Sequence, residues 1–97
     1  MADFILLMHR DQTRAETDEA WGEYFGKLRS RGAFQGGSSI GDGVALRKSG
    51  APAPLTQQLV GFIRVRADDL ADAQGLVAGN PVYEAGGTVE VRELPPD

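Results

Sequence analysis

Residues 59–66 read LVGFIRVR, an alternating run typical of a β-strand whose two sides meet different surroundings. Successive side chains of a strand point to opposite faces, so the run separates into two sets: Leu59, Gly61, Ile63 and Val65, and on the other side Val60, Phe62, Arg64 and Arg66. The first set is apolar and predicts a face packed on a core. The second mixes apolar and basic side chains, which predicts a face that no other segment of this chain covers.

Three further runs predict the remaining strands of a sheet. Phe4–Met8 is apolar on both sides, as expected of a central strand. Ala33–Ile40 is rich in Gly and Ser and predicts a weaker strand near an edge. Thr88–Leu94 alternates, with Val89 and Val91 predicted to point inward.

Two helices are predicted between these strands. The first covers residues 18–31, with Thr17 as N-cap and Gly32 as a left-handed C-terminal cap. Its apolar side chains recur at i, i+3, i+4 and i+7 and predict one stripe against a core: Trp21, Tyr24, Phe25 and Leu28. The second covers residues 69–78, with Asp68 as its cap and Gly79 as its stop.

The connections carry turn chemistry. Gly41-Asp42-Gly43 predicts a hairpin turn from which residues 44–47 return as an extra strand. Residues 49–58 contain two prolines and predict a loop, and residues 80–83 predict a turn.

The order of elements predicts a single α+β domain over residues 1–97. It is a ferredoxin-like βαββαβ sandwich, with a four-stranded antiparallel sheet, two helices on one face and an extra hairpin after the second strand. The uncovered face is half apolar, and a short chain has a thin core. We therefore expect a homodimer formed through the open sheet face.

Composition narrows the function classes. The chain has 10 basic and 14 acidic residues, a net charge of −4 that disfavours nucleic acid as a partner. It has no cysteine, which excludes disulfides and thiol chemistry. The apolar run 4–8 is too short for a membrane span and lacks the basic start of a signal peptide, so a cytoplasmic location without membrane contact is expected.

His9 is the only histidine and ends the first predicted strand. In the predicted topology, several polar and aromatic side chains come to the same end of the sheet and could surround one cleft: His9, Arg10, Asp11, Trp21, Asn80 and Tyr83. His9 beside Asp11 is a candidate general base, and Arg10 a candidate anchor for an anionic substrate. The alternatives are a solvated His9 and a Trp21 that belongs to the core.

No cofactor and no metal is expected. Gly41-Asp42-Gly43 lies in a predicted hairpin rather than between a strand and a helix, so it does not indicate a nucleotide loop. A metal at His9 and Asp11 would need further ligands that no spacing supplies.

The chain resembles the YCII-related family, within the dimeric α+β barrel group. The matching motifs run from end to end: FILLMH at 4–9, Trp21, Leu28 and Gly32, LVGF at 59–62, DLADA at 69–73, Asn80-Pro81, and GGTVEVR at 86–92. One branch carries an Asp-Gly-Pro-Phe signature, but here the corresponding loop reads GAPAP at 50–54. Some members are proposed to use a His–Asp pair, and Trp21 and Asn80 stand at those places. An indole and an amide cannot act as proton-transfer groups, so the resemblance does not imply a dyad mechanism.

Three hypotheses of function stay open at this point. The first is a homodimeric protein that binds a small organic molecule in a cleft at the C-terminal end of the first strand. The second is a small lyase- or isomerase-type enzyme acting on an aromatic or lactone-like substrate, with His9 as general base. The third is an accessory or regulatory interaction module.

Overall fold

The computed structural model describes residues 1–96 and contains four strands and three helices within them. In chain order these are β1 (Ala2–His9), α1 (Asp18–Ser30), β2 (Phe34–Ser39), β3 (Leu59–Ala67), α2 (Leu70–Gly75), α3 (Pro81–Glu84) and β4 (Val89–Leu94). The strands form one antiparallel sheet in the order β2-β3-β1-β4. The predicted α+β, ferredoxin-like class and its central pair of strands are confirmed.

The helices cover one face of this sheet. Alternate residues of β1 point beneath them and are buried, namely Phe4, Leu6 and Met8, and they meet Ile63 and Val65 from β3 in one apolar cluster. Tyr24 and Leu28 of α1 and Ala73 of α2 belong to the same cluster. The other face, which we call the open face, carries the intervening residues of β1 and β3, including Ile5, Leu7 and Phe62, and these are only half-buried.

The start and the end of α1 are as predicted. The Thr17 hydroxyl accepts a hydrogen bond from the Ala20 amide at 3.1 Å, which satisfies one free donor of the first turn. Gly32 follows the helix with φ +67°, a conformation that favours glycine and turns the chain into β2.

The second helix is shorter than predicted. It covers Leu70–Gly75 rather than 69–78, and its N-cap is Asp69 rather than Asp68, because the Asp69 carboxylate accepts from the Asp72 amide at 2.8 Å. Gly75 is a poor helix former, and the two residues after it turn inward and are buried. The predicted turn at 80–83 is a short helix, α3, capped by Asn80.

The predicted extra hairpin does not form. Residues 40–58 contain no strand, and Val44 and Leu46 are 78% and 88% exposed. A returning strand would have to pack beside β2, whose residues 36–39 are two glycines and two serines. Cross-strand pairs stabilise a ladder through side-chain contacts, and this edge offers almost none.

A β-bulge changes the predicted facing at the start of β3. Met8 pairs with Gly61 but His9 pairs with Leu59, so Val60 is an extra residue in the ladder. Val60 packs against the core cluster, whereas Leu59 takes the position opposite His9. The predicted sides of Leu59 and Val60 were therefore wrong, and alternation holds only from Gly61 onward.

Candidate functional site

The six residues predicted to line one cleft lie in separate surroundings. Trp21 lines a pocket on the helix-covered side of the sheet, and Tyr83 lies 51% exposed on α3. Tyr83 also lines a separate pocket with residues of α2 and β4, namely Gln74, Val89 and Val91. Trp21 and Tyr83 therefore line different pockets, and a single cleft around His9 stays a prediction.

His9 lies on the open face. Its Nε2 is 2.7 Å from Oε2 of Glu90, and the other oxygen of that carboxylate is 3.7 Å from Nη1 of Arg92. Its neighbour Met8 points to the opposite side of the sheet, into the core. The carboxylate partner of His9 is thus Glu90 from β4, and not Asp11 as the sequence suggested.

Asp11 holds the start of β4. Its two carboxylate oxygens accept from the Thr88 amide at 2.7 Å and from the Thr88 hydroxyl at 2.6 Å. The hydroxyl hydrogen bond, followed by that from the backbone, lowers the pKa of Asp11 below its ordinary value. Neighbouring Arg10 donates to the Leu59 carbonyl at 3.4 Å, so both side chains have structural partners.

Asn80 is fully buried and is occupied by the backbone. Its Oδ1 accepts from the amides of Val82 at 3.0 Å and Tyr83 at 3.2 Å, which caps α3. Its Nδ2 donates to Sδ of Met8 at 3.5 Å. These contacts make Asn80 the link between α3 and β1.

A pocket of about 440 Å³ opens between α1, β2 and the start of β3. We call it the aromatic pocket, after the three rings that form one wall: Trp21, Phe25 and Phe34. Its apolar floor is formed by Met8, Val60, Ile63 and Val82, and its polar rim by Gln12, Glu16, Ser38 and Ser39. The bulge contributes directly, because it turns Val60 to this side.

The rings of the wall hold one another in place. Trp21 and Phe25 are four residues apart on α1 and stack with their centroids 5.4 Å apart, at 29° between planes. Phe34 of β2 meets Phe25 edge to face at 5.3 Å. Arg29 lies over Phe25 and Phe34, with its guanidinium carbon 5.8 and 5.0 Å from the ring centroids.

β2 approaches the pocket closely because of its glycines. A Cβ on Gly37 would lie 2.5 Å from the Phe62 carbonyl oxygen, so a side chain there would push the strand outward. Gly36, beside it, has φ +113° in the irregular part of the β2–β3 ladder. The glycine-rich sequence that predicted a weak strand therefore also shapes the pocket mouth.

Glu16 organises the rim. Its Oε1 accepts from Nε1 of Trp21 at 2.9 Å, and its Oε2 accepts from Nε2 of Gln12 at 2.8 Å. The Gln12 Oε1 is buried and accepts no hydrogen bond from any described residue. Sequence reasoning missed Gln12 and Glu16, since they lie in the loop before α1 and no periodic pattern marks them.

A larger cavity of about 560 Å³ lies between α1 and α3. Its wall carries charges of both signs, and its two cations already have partners. Lys27 donates to the Ala78 carbonyl at 2.7 Å, and Arg14 donates to the Glu84 carbonyl. We regard the aromatic pocket as the better candidate, because ligand sites combine apolar walls with few convergent polar groups.

Two further features of residues 1–96 bear on the site. No group of three His, Asp or Glu side chains is arranged to hold a metal ion. None of the helices in this part of the chain has both the length and the apolar character to cross a membrane.

Comparison with protein families agrees with the fold. The family model of the YCII-related domain matches residues 2–96. The chain belongs to the YCII-related family. No curated protein matches it.

In this YCII-related chain, Trp21 and Asn80 both make structural hydrogen bonds. Trp21 donates its indole N–H to Glu16, and Asn80 caps α3. Neither group exchanges protons near neutral pH. The aromatic pocket has no histidine among its lining residues.

Proposed function

We propose that this protein is a homodimer that binds a small organic molecule in the aromatic pocket. The observation that carries the proposal is the pocket itself, with an apolar floor, an aromatic wall and a rim of four polar side chains. Its volume of about 440 Å³ lies within the range of roughly 300–1,000 Å³ typical of ligand sites.

Binding is favoured over proton transfer at this pocket. Glu16 is the one charged residue of its wall, and both of its oxygens already accept hydrogen bonds. His9 lies on the opposite side of the sheet, beside Glu90, whereas the preceding residue Met8 points into the core. A ligand in the pocket of one chain therefore meets no histidine of that chain.

A pocket-filling variant tests this proposal. Val60→Phe would place a ring in the pocket, whereas Val44→Phe adds the same ring at an exposed loop position. Trp21 is the only tryptophan, so its fluorescence reports occupancy. We expect small aromatic probes to change that fluorescence in the wild type and in Val44→Phe, and to have no effect in Val60→Phe. Probes that neither change the fluorescence nor raise the melting temperature of any of the three proteins would contradict the proposal.

The homodimer is proposed from the chemistry of the open face. Its centre carries Ile5, Leu7 and Phe62, which are half-buried in one chain. Arg64 makes no ion pair with any described residue. It pairs with Ile5 of β1, whereas Glu90 of β4 pairs with Leu7, two residues further along β1. A two-fold axis would pair the apolar centres and bring Arg64 of one protomer toward the acidic groups of the other.

The dimer is tested by placing a charge at that centre. Phe62→Glu should yield a folded monomer in analytical ultracentrifugation at micromolar concentration, because two carboxylates would have to be desolvated together. Gln74→Glu, at an exposed position of α2, adds the same charge on the other side and should remain dimeric. A wild-type monomer at that concentration would overturn the dimer and leave the pocket proposal intact.

One observation favours a second candidate, an enzyme that uses His9. A carboxylate 2.7 Å from an imidazole nitrogen orients the ring, an arrangement typical of a histidine that acts as general base. In a dimer built on the open face this pair would be enclosed. His9→Gln preserves a donor toward Glu90 and removes the base, so turnover of lactone-like or aromatic substrates should be lost with folding retained. Unchanged turnover would exclude this candidate.

A further inference from the structure

Resting on the proposed homodimer, we infer that residues 40–58 form an arm that packs into a pocket beside β4 of a second copy of this chain. We call these residues the arm. The receiving pocket, which we call the β4 pocket, has a volume of about 410 Å³ and is lined by Gln74, Val77, Ala78, Tyr83, Val89 and Val91. Each protomer supplies one arm and receives one.

The arm has the surface of a segment whose partner is another molecule. Every residue in it except Ala45 is exposed. Among residues 1–96, four of the seven exposed large apolar side chains lie in the arm: Ile40, Val44, Leu46 and Leu55. A fifth is Tyr83 of the β4 pocket. Single apolar side chains are common on surfaces, but a group of them in one segment marks a site of contact.

The arm stands away from the body of its own chain. Its two ends are fixed to the sheet, since the Ile40 amide donates to the Val60 carbonyl at 2.9 Å and the Arg10 amide donates to the Gln58 carbonyl at 2.8 Å. The radius of gyration is 14.8 Å and the longest dimension 47 Å, whereas a compact domain of about 100 residues has a radius of roughly 13 Å. Projection of the arm accounts for the difference.

Charge selects the β4 pocket as the receiving surface. The arm contains Asp42, Arg47 and Lys48, a net charge of +1, and its two basic residues directly follow Leu46. The segment 68–94 supplies the whole lining of the β4 pocket and contains six acidic residues and one basic residue, a net charge of −5. An apolar segment with basic neighbours thus complements an apolar pocket in acidic surroundings.

The strand register brings the arm to this pocket in a two-fold dimer. Ser39 pairs with Gly61, Gly61 with Met8, and Met8 with Val89, so the arm joins β2 and β3 at the end of the sheet where β4 begins. The strands β2 and β4 are the two edges. When two open faces meet across a two-fold axis parallel to the strands, the β2 edge of each sheet lies over the β4 edge of the other, with matching ends at one level. Each arm then reaches the β4 pocket of the other chain.

A two-fold axis across the strands would place the arm elsewhere. It would lay β2 over β2 with the ends reversed, so each arm would reach the start of β2 in the other chain. That region carries Arg31 and Arg66, whose amide donates to the Ala33 carbonyl at 2.9 Å. Basic side chains of the arm would then meet basic side chains, which is unfavourable. The charges therefore favour the parallel axis.

Trypsin reports whether the arm is covered, because it cleaves after Arg47 and Lys48. Exposed loops are preferred sites of cleavage, and a docked arm is cleaved only while it is released. We expect the arm of the dimeric wild type to be cleaved at least about tenfold more slowly than that of Phe62→Glu, the monomeric variant, at the same protein concentration. Equal cleavage in a wild type that sediments as a dimer would overturn the inference.

Serine substitutions in the arm test its apolar contact. Val44→Ser combined with Leu46→Ser should weaken the dimer at least about tenfold, since four buried apolar side chains are lost from each dimer. Ala51→Ser combined with Ala53→Ser introduces as many serines at exposed positions of the same arm and should change the affinity by about twofold or less. Analytical ultracentrifugation measures both affinities. Equal dimer affinity in the two double variants would overturn the inference.

Substitutions in the β4 pocket identify the receiving surface. Tyr83→Ser should weaken the dimer by itself, but should add about twofold or less to the effect of the Val44 and Leu46 substitutions, because both changes remove one contact. Losses that multiply in full would overturn the assignment of the pocket. Gln74→Glu adds a carboxylate opposite the basic arm and should keep the dimer, whereas Gln74→Lys should weaken it about threefold at low salt.

The outcomes separate the inference from the function on which it rests. A wild type that is monomeric at micromolar concentration overturns the homodimer and the docking of the arm together. A dimeric wild type that is unaffected by the arm substitutions overturns the arm alone. Arm substitutions that change the binding of aromatic probes while the dimer is unchanged would assign the arm to the aromatic pocket of its own chain and overturn the inference.

Discussion

The covered and open faces of the sheet place neighbouring residues of one strand in opposite surroundings. Leu6 of β1 is fully buried beneath the helices, while Leu7, the next residue, lies half-buried on the open face. The two side chains are identical, so the difference in their burial comes from the helices, which cover only one face of the sheet. The pair shows that the core of this chain lies on one side of its sheet.

Polar groups differ between the two faces as well. On the covered side, the Tyr24 hydroxyl donates to the Leu76 carbonyl at 2.6 Å, and Oδ1 of Asn80 accepts from two backbone amides. On the open face, Glu90 lies 2.7 Å from His9, but the two ion pairs made by arginines are long, at 3.4 Å for Asp3 with Arg66 and 3.7 Å for Glu90 with Arg92. Tyr24 and Asn80 on the covered side thus have partners within one chain, whereas the open face has contacts that a second chain could strengthen.

Replacing each of the adjacent leucines tests this difference most strongly. Leu6→Ala should lower the free energy of unfolding by about 3 kcal/mol, as expected for a buried leucine that leaves a cavity. Leu7→Ala should lower it by less than about 1 kcal/mol in dilute solution, with a loss that grows with protein concentration as the dimer forms. Urea titrations at two protein concentrations measure both. Equal losses in dilute solution would show that the faces are not different.

The two tyrosines offer a matched comparison of burial. Burial raises the pKa of Tyr24 to about 12. Tyr24→Phe should lower the free energy of unfolding by about 1 kcal/mol near neutral pH through loss of the bond to Leu76. Tyr83→Phe, at a half-exposed position, should change it much less.

The same tyrosine predicts a pH dependence. The unfolded chain releases the Tyr24 proton near its ordinary value of 10 and the folded chain only near 12, so the folded state binds more protons between them. The stability contributed by Tyr24 is complete below pH 10 and is lost as the pH rises toward 12. The wild type should lose more stability across this interval than Tyr24→Phe. Parallel curves would contradict the burial of the hydroxyl.

The ion pair of Asp3 with Arg66 should give the smallest effect. Both side chains are well exposed, at 39% and 48%, and exposed pairs contribute roughly 0.2–1 kcal/mol. A double-mutant cycle with Asp3→Asn and Arg66→Gln in dilute solution should give a coupling of about 0.5 kcal/mol or less. A much larger coupling would mean that water is excluded from the open face even in the monomer.

The fold could be predicted from the sequence because each element has a local signal. The four strands follow from alternation or continuous apolar runs, and α1 from its stripe, the Thr17 cap and Gly32. The prediction of an extra hairpin was wrong. Residues 41–43 favour a turn, but they do not determine whether a returning strand finds side chains to pack on. That property belongs to β2 and not to the turn.

The candidate site was less predictable, since it depends on contacts between distant segments. Trp21 was predicted as a candidate, but the face taken by His9 and its pairing with Glu90 follow from the β1–β4 register. Gln12 and Glu16 become rim residues only when the loop 10–17 folds back on α1. Binding of a ligand and formation of a dimer remain predictions, tested by the probes and variants above.

Because of the bulge at Val60, a mutation can change the aromatic pocket without changing the open face. Met8 pairs with Gly61 and His9 with Leu59, so deletion of Val60 would leave both pairings in place and make the ladder regular. The aromatic pocket would lose one side chain from its floor, while Leu59, Phe62 and their neighbours on the open face would keep their positions. Deletion of this one residue would therefore change the aromatic pocket and leave unchanged the surface through which we propose that the dimer forms.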